Sequence, residues 1–194
     1  MKIVGTDSDE VERALIAGEL SCPGCRGQLR PWGSARWRVV RWGAGVERRR
    51  PRRGRCACCE STHVLICADS LLRRRDLAEV IGAALVAKAV GVGYRRAATV
   101  AGVPMSTVRG WFRRFAVNAE AIRVWFTVVA HDLDPMLTPL VPMATLLGDA
   151  VEAIAVAARA ASLRLAPVRP WSFASAASAG RLLSNTGWPW AGAG

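Results

Sequence analysis

Two Cys-x-x-Cys pairs, Cys22/Cys25 and Cys56/Cys59, flank a segment that carries Arg at every second or third position. Four thiolates are what a tetrahedral Zn2+ site takes, and the two-residue spacing lets both thiolates of one tight turn reach the same ion. The first turn, Cys22-Pro23-Gly24-Cys25, holds the Pro and Gly that such a bend needs. The second, Cys56-Ala57-Cys58-Cys59, leaves a choice open: Cys58 could replace a neighbour, and His63, four residues past Cys59, is within ligand reach. A zinc ion closed by four thiolates has no free position for chemistry, so the expected role of the metal is structural. Three disulfides are the competing use of six cysteines. The start Met1-Lys2-Ile3-Val4-Gly5-Thr6-Asp7 carries no apolar leader segment, so a reducing cytoplasm is expected instead. Cys67, at the end of His63-Val64-Leu65-Ile66-Cys67, reads as a small buried hydrophobe on a short strand.

Charge divides the chain. Through Phe115 there are 22 Lys+Arg against 10 Asp+Glu, whereas residues 116–194 hold 5 of each. Residues 21–58 alone contain eleven Arg and one acid, Glu47, a net of +10. A field so concentrated attracts a polyanion, and nucleic acid is the commonest one. No stretch qualifies as a membrane span, because the most apolar runs, 77–92 and 150–166, are interrupted by charges and rich in Ala.

The elements that must position these groups can be read from pattern. Residues 8–20 suit a short amphipathic helix with Ser8 as N-cap and Gly18 as stop, delivering the chain to the first Cys turn. Ser34–Trp42 and Val46–Arg55 alternate aromatic, β-branched and Arg residues around Gly43-Ala44-Gly45, a hairpin pattern. Trp32, Trp37 and Trp42 are expected to give this small sheet its hydrophobic face, with base or sugar stacking the second reading. Arg48, Arg50, Arg52, Arg53 and Arg55 would point from both faces of a strand, and phosphate is their expected contact. Asp76-Leu77-Ala78-Glu79 has capping-box spacing and opens a helix to about Val90.

Tyr94–Phe115 has the layout of a helix-turn-helix. The contact residue of the first helix is small (Ala98), the turn allows a positive φ (Gly102), and the second helix has apolar anchors Val108, Trp111 and Phe115. Ala98 to Gly102 is four residues and Gly102 to Val108 is six, the spacings of the DNA-binding motif. If the second helix enters a major groove, its exposed face offers Met105, Ser106, Arg109, Gly110 and Arg113. Arg109 is the candidate for base readout, Arg113 and Arg114 for phosphates, Ser106 and Thr107 for a cap or a phosphate, and Arg95 and Arg96 for backbone contacts. Beyond lie a helix from Asn118 to about His131, a Pro-rich linker over 132–142, an Ala-rich helix over Thr145–Leu165 and a short helix within Trp171–Leu183. His131-Asp132-Leu133-Asp134 reads as a helix end before an Asp-Pro boundary.

Cys22-Pro23-Gly24-Cys25, the Arg-rich strand running into Cys56-x-x-Cys59, and Gly102-Val103-Pro104-x-Ser106-Thr107-Val108-Arg109-Gly110-Trp111 resemble the N-terminal zinc ribbon and helix-turn-helix of insertion-sequence transposases. More closely, the chain resembles a family of short actinobacterial helix-turn-helix proteins that share this layout and a Leu182-Leu183-Ser184-Asn185-Thr186 tail. The transposase comparison implies binding to element-end DNA. It also shows a departure. A transposase needs three acids holding two metal ions, whereas after Phe115 only Glu120, Asp132, Asp134, Asp149 and Glu152 remain, in helical or linker sequence.

The expectation is thus a mainly α protein with a small β zinc ribbon (1–68), a helix-turn-helix unit (69–131), a linker (132–142) and a C-terminal helical region (143–194). It would be cytoplasmic, associated with the nucleoid, and not an enzyme. It would bind double-stranded DNA and pair with itself or a protein partner through the C-terminal helices. The alternative is an adaptor that recruits a partner through the ribbon and the neutral helices.

Overall fold

The computed structural model describes residues 1–43 and 45–184, and the sequence features at Asn185, Thr186 and beyond lie outside the described residues. The protein is mixed α/β: seven helices accompany six strands among the described residues. The sheet content exceeds a simple ribbon because β1 (Lys2–Val4), which the pattern reading passed over, pairs in parallel with β6 (Thr62–Cys67). Its β-branched Ile3-Val4 pair was the available signal.

Helix α1 (Ser8–Ala17) is capped by Asp7, not Ser8: the Asp7 carboxylate accepts from the amides of Asp9 and Glu10 at 2.8 and 3.2 Å. Gly18 ends it in the left-handed region, as expected. The chain then forms one long antiparallel arm. Strand β2 (Leu29–Ser34) pairs with β5 (Arg52–Cys56), β3 (Arg38–Trp42) pairs with β4 (Gly45–Arg49), and the Ala35 amide donates to Pro51 O between the two tiers. The expected hairpin is present, but its second half splits at Arg50-Pro51, where Pro cannot donate to a ladder, opposite a register shift between Pro31 and Ser34. Completed by β6 and β1, the larger sheet runs β1-β6-β5-β2. Against it α1 buries Val11 and Leu15 on Leu29 and Leu65, a small core that also encloses Cys22 and Cys56.

The remaining helices are α2 (Ala78–Ala89), α3 (Tyr94–Ala101), α4 (Met105–Val117), α5 (Ala119–Leu133), α6 (Leu146–Arg164) and α7 (Pro170–Ala177). All six share one hydrophobic core, from Leu71 to Leu183, in which Phe115, Phe126, Ile81, Leu85, Ile122 and Ile154 are fully buried. Helices α5 and α6 form the most extensive packing in the chain, and the alanines of α6 allow it: Ala150, Ala153, Ala157 and Ala161 bring the two backbones close. The C-terminal helices therefore complete the main core. Helix α7 seats on α2 where the Trp171 indole lies directly on Gly82, leaving no room for a Cβ.

The expected capping box at Asp76 is not formed. Leu77 is the N-cap of α2 and makes no side-chain cap, while Asp76 turns inward, buried, to meet Arg41 from the hairpin arm at 2.9 and 3.0 Å. Glu79 accepts instead from the amide and hydroxyl of Ser172, tying α2 to α7. An isolated peptide would favour the cap; here a bidentate guanidinium outcompetes two backbone amides.

Candidate metal centre and basic surface

The two Cys turns are built alike. In the first, the Cys22 amide donates to Gly27 O (2.7 Å), and in the second, the Cys56 amide donates to Ser61 O (3.0 Å), the same five-residue offset. Each turn is closed by a residue with positive φ, Arg26 at 61° and Glu60 at 58°, one position after its second cysteine. Each also directs an amide at its first sulfur: Gly24 N to Cys22 Sγ and Cys58 N to Cys56 Sγ, both at 3.4 Å. The Ala57 amide, donating to Gln28 O at 2.9 Å, fixes one turn against the other.

The result is a four-sulfur group. Cys22, Cys25, Cys56 and Cys59 have their Sγ atoms within 4.8 Å of one another, with Cys22–Cys59 at 3.8 Å and Cys25–Cys56 at 3.4 Å. A tetrahedron of sulfurs, each about 2.3 Å from a zinc ion, has edges of about 3.8 Å, so the group could hold a metal ion with little movement. All-thiolate donors suit a soft ion. Amide and hydroxyl donors already favour the thiolate form. Ser61 hydroxyl and amide bring the Cys59 thiol down to about 6, and the Cys59 amide lowers Cys56. At Cys25 the Gly27 amide acts the same way, but the neighbouring Cys56 and Cys59 sulfurs outweigh it and push the thiol up to about 12. Sulfurs crowded this closely cannot all ionise together without a compensating positive charge.

Cys58 lends its amide but its side chain stays outside this group, and His63 lies at its edge, with Nε2 3.3 Å from Cys22 Sγ. Burial lowers the His63 pKa and favours the neutral ring. Cys67 is half-buried, with its thiol 3.7 Å from Thr6 O and pushed up to about 11 by burial.

The Arg-rich arm resolves into distinct uses. Arg52 forms a bidentate pair with Glu12 of α1 (2.7 and 2.9 Å), Arg49 lies between Glu47 and Asp69, and Arg38 donates to Arg74 O. Arg55 meets the exposed Glu60 at 3.1 Å, and Arg53 is half-buried with its Nε unpartnered. Arg48 and Arg50 are exposed and have no carboxylate partner among the described residues; both guanidiniums lie over Trp37, at 5.4 and 6.0 Å from the ring centre. The three tryptophans do not form a buried face. Trp32, Trp37 and Trp42 are 50%, 57% and 56% exposed; for Trp32 the reason is that α1 covers the opposite side of β2 and β5.

On the helical side, Gly102 closes α3 at φ 64° and the Val103 amide donates to Ala98 O. Ala98, Val108, Trp111 and Phe115 are buried, and Phe112 joins them. Helices α2, α3 and α4 pack against one another in all three pairings. No side chain caps α4: its N-cap is Pro104, so Ser106, which is exposed, and Thr107, half-buried, do not serve that role. Met105, Arg109 and Arg113 are exposed on α4, with Arg109 stacked on Tyr94 at 5.3 Å, and Ser106, Arg109, Gly110 and Arg113 line one shallow depression. Arg114 turns back to Gly110 O at 3.1 Å. Arg95 and Arg96 are exposed on the first turn of α3. The arm meets the helical side at Arg74, whose carbonyl accepts from Arg38 and whose pKa is lowered by burial and then by the charges of Arg114 and Arg73.

Fold and site define a mixed α/β protein with a four-cysteine centre able to hold a metal ion, and no helix of the described residues is long and apolar enough to cross a membrane. No protein-family model, curated protein or solved structure matches the chain.

Proposed function

We propose that the protein is a zinc-stabilised, non-enzymatic, double-stranded DNA-binding protein, a regulator or a recognition factor related to mobile elements, acting in the cytoplasm at the nucleoid. The observation that carries this reading is the outer face of α4. Its apolar side is buried on α2 and α3, while Ser106, Arg109, Gly110 and Arg113 share one open, shallow surface with no acid among its lining residues. A helix held this way is free to enter a major groove, where Arg pairs with guanine O6 and N7. In this reading α3 and α4 are a helix-turn-helix, and the metal-held arm is a zinc ribbon that adds phosphate contacts through Arg48 and Arg50. The resemblance to the DNA-binding part of insertion-sequence transposases supports duplex DNA as the ligand. Of the acids after Phe115, Glu120 pairs with Arg123 and Glu152 with Arg159, while Asp149 accepts from the Met143 amide; this supports a structural rather than a metal-holding role for them.

Selection from a random duplex library is the test. The expected result is an enriched motif whose recognition is lost in Arg109→Ala/Arg113→Ala, at about 1–3 kcal/mol per bidentate contact, while salt-sensitive non-specific binding persists. Enrichment unchanged by the double substitution would remove α4 as the reading element.

One observation favours a protein partner as well. Leu163, 80% exposed on the last turn of α6, lines one open depression together with the exposed Val141 of the Pro-rich segment. Such a patch suits self-association or an adaptor contact. An adaptor that ignored duplex DNA at low salt but co-purified with a partner would replace the first reading.

A further inference from the structure

We infer that the arm carries a second nucleic-acid activity, binding of single-stranded nucleic acid by stacking of unpaired bases on Trp32 and Trp37. The inference goes beyond duplex recognition by α4 and uses none of its residues.

In β2, Leu29 points into the core beneath α1, so Arg30 points to the other side, and Trp32, inside the register shift between Pro31 and Ser34, lies beneath the Arg55 guanidinium. Arg55 pairs with Arg30 across the ladder, and Arg53 pairs with Val64, so these side chains share that second face. Gly54, between them, faces Leu15 and Leu29 on the covered side. In the outer tier Val40 is buried and Arg38 and Arg49 reach the body of the protein; on the other side Arg41 turns to Asp76, while Trp37, Val39, Val46, Arg48 and Arg50 stay exposed. An apolar sheet face without cover is a liability for a soluble chain. Here every exposed element of it is interleaved with guanidinium.

The geometry of the indoles is specific. Arg55 lies over Trp32 at 4.8 Å, and Arg48 and Arg50 over Trp37 at 5.4 and 6.0 Å, yet both rings stay at least half exposed. Each ring is thus contacted by guanidinium while about half of its residue surface stays open to solvent. A base can stack there while the neighbouring guanidinium meets its phosphate, which is how sequence-tolerant single-strand binders combine stacking with charge. A duplex would offer this face only phosphates, since its bases are already stacked. Charge selects the polyanion, and exposed indoles select unpaired bases within it.

The test measures anisotropy of a labelled oligothymidylate of about 20 nucleotides and of a duplex of equal length, at one salt concentration, with the full zinc-loaded chain. Trp32→Ala/Trp37→Ala should weaken oligothymidylate binding at least about tenfold and leave duplex binding within about threefold, while Trp32→Phe/Trp37→Phe retains most of it. On a duplex that carries the selected motif, Arg109→Ala/Arg113→Ala should weaken binding at least about tenfold while leaving oligothymidylate binding within about threefold, so failure of the duplex reading and failure of this one give different patterns. Circular dichroism and zinc content check that the exposed substitutions leave the fold intact. The inference is overturned if the wild-type chain does not bind oligothymidylate. It is also overturned if the Trp-to-Ala pair binds it unchanged, or loses both ligands equally.

Discussion

Removing the metal should unfold the N-terminal sheet and leave the helices standing. The small core beneath α1 encloses only four aliphatic side chains, Val11, Leu15, Leu29 and Leu65, beside the sulfurs of Cys22 and Cys56. At roughly 1.5–3 kcal/mol per buried side chain these contribute about 6–12 kcal/mol. A structural zinc contributes about 10–16 kcal/mol at neutral pH, as much as the whole apolar core or more. A loss of that size is comparable to or larger than the about 5–15 kcal/mol of net stability typical of a domain. The helical core, with its many buried side chains from Leu71 to Leu183, does not depend on the sulfurs. A strong chelator, or Cys56→Ser, should therefore abolish the low-wavelength sheet signature and the amide dispersion of residues 1–67 while α2–α7 keep their helical signal. The assay is circular dichroism with two-dimensional amide NMR, and metal release followed with a chromophoric chelator. A chelated protein with an unchanged spectrum and an unchanged single melting transition would refute the argument: the sheet would then be held by its apolar core and ion pairs alone.

Three further outcomes follow from particular contacts. Gly102 sits at φ 64°, so Gly102→Val places a β-branched residue in the left-handed region and should cost about 1–2 kcal/mol, read as a fall in Tm, while Gly102→Asn costs less. Arg41→Ala strands the buried Asp76 carboxylate; because Arg41 is itself about a third exposed, the loss should be about 2 kcal/mol rather than the 3–5 of a fully buried pair, and a double-mutant cycle with Asp76→Ala should show the two losses are not additive. The Asp7 carboxyl is held below its usual 3.8 by the amides of Glu10 and Asp9, so its cap on α1 is fully present above that value and fades as pH falls through the lowered one. Asp7→Asn, which keeps an acceptor oxygen, should flatten that acid dependence in an NMR titration of the α1 amides.

Local chemistry was legible wherever a residue's neighbours in sequence decide its fate. The Cys spacing forecast the four-sulfur group because a two-residue loop leaves its sulfurs few places to go. Gly18 and Gly102 forecast helix ends because few other residues occupy the left-handed region at low cost, and Thr145 caps α6 as its hydroxyl allows. What the pattern missed depends on partners far along the chain. Asp76 is a good cap in isolation, but Arg41 lies thirty-five residues upstream and only the folded arm brings it within reach. The three tryptophans looked like core because bulk and apolarity suggest burial; whether a sheet face finds a cover depends on where distant elements land, and at Trp32 α1 lands on the other side. The expected second strand broke at Pro51, a signal that was present in the sequence and outweighed by the alternation around it.

The Arg-rich arm shows why counting charges overstates a binding surface. Four of the eleven guanidiniums between residues 21 and 58, those of Arg41, Arg49, Arg52 and Arg55, meet five carboxylates in the folded chain, Asp76, Glu47, Asp69, Glu12 and Glu60. The net field of the arm is therefore nearer +6 than the +10 of its sequence. The paired residues are also the ones that fasten the arm: Arg52 to α1, Arg49 to the segment after β6, Arg41 to the entry of α2. Guanidinium suits this work because its fork fixes direction as well as distance, which an ammonium does not. One residue type thus serves two purposes. Arg41, Arg49 and Arg52 hold the arm to the body, whereas Arg48 and Arg50, with no carboxylate partner among the described residues, lie over the exposed indole of Trp37. The paired set fixes the orientation of the arm, and under the proposed reading that matters, because an arm free to swing would lose in ordering entropy what contacts with a polyanion gained.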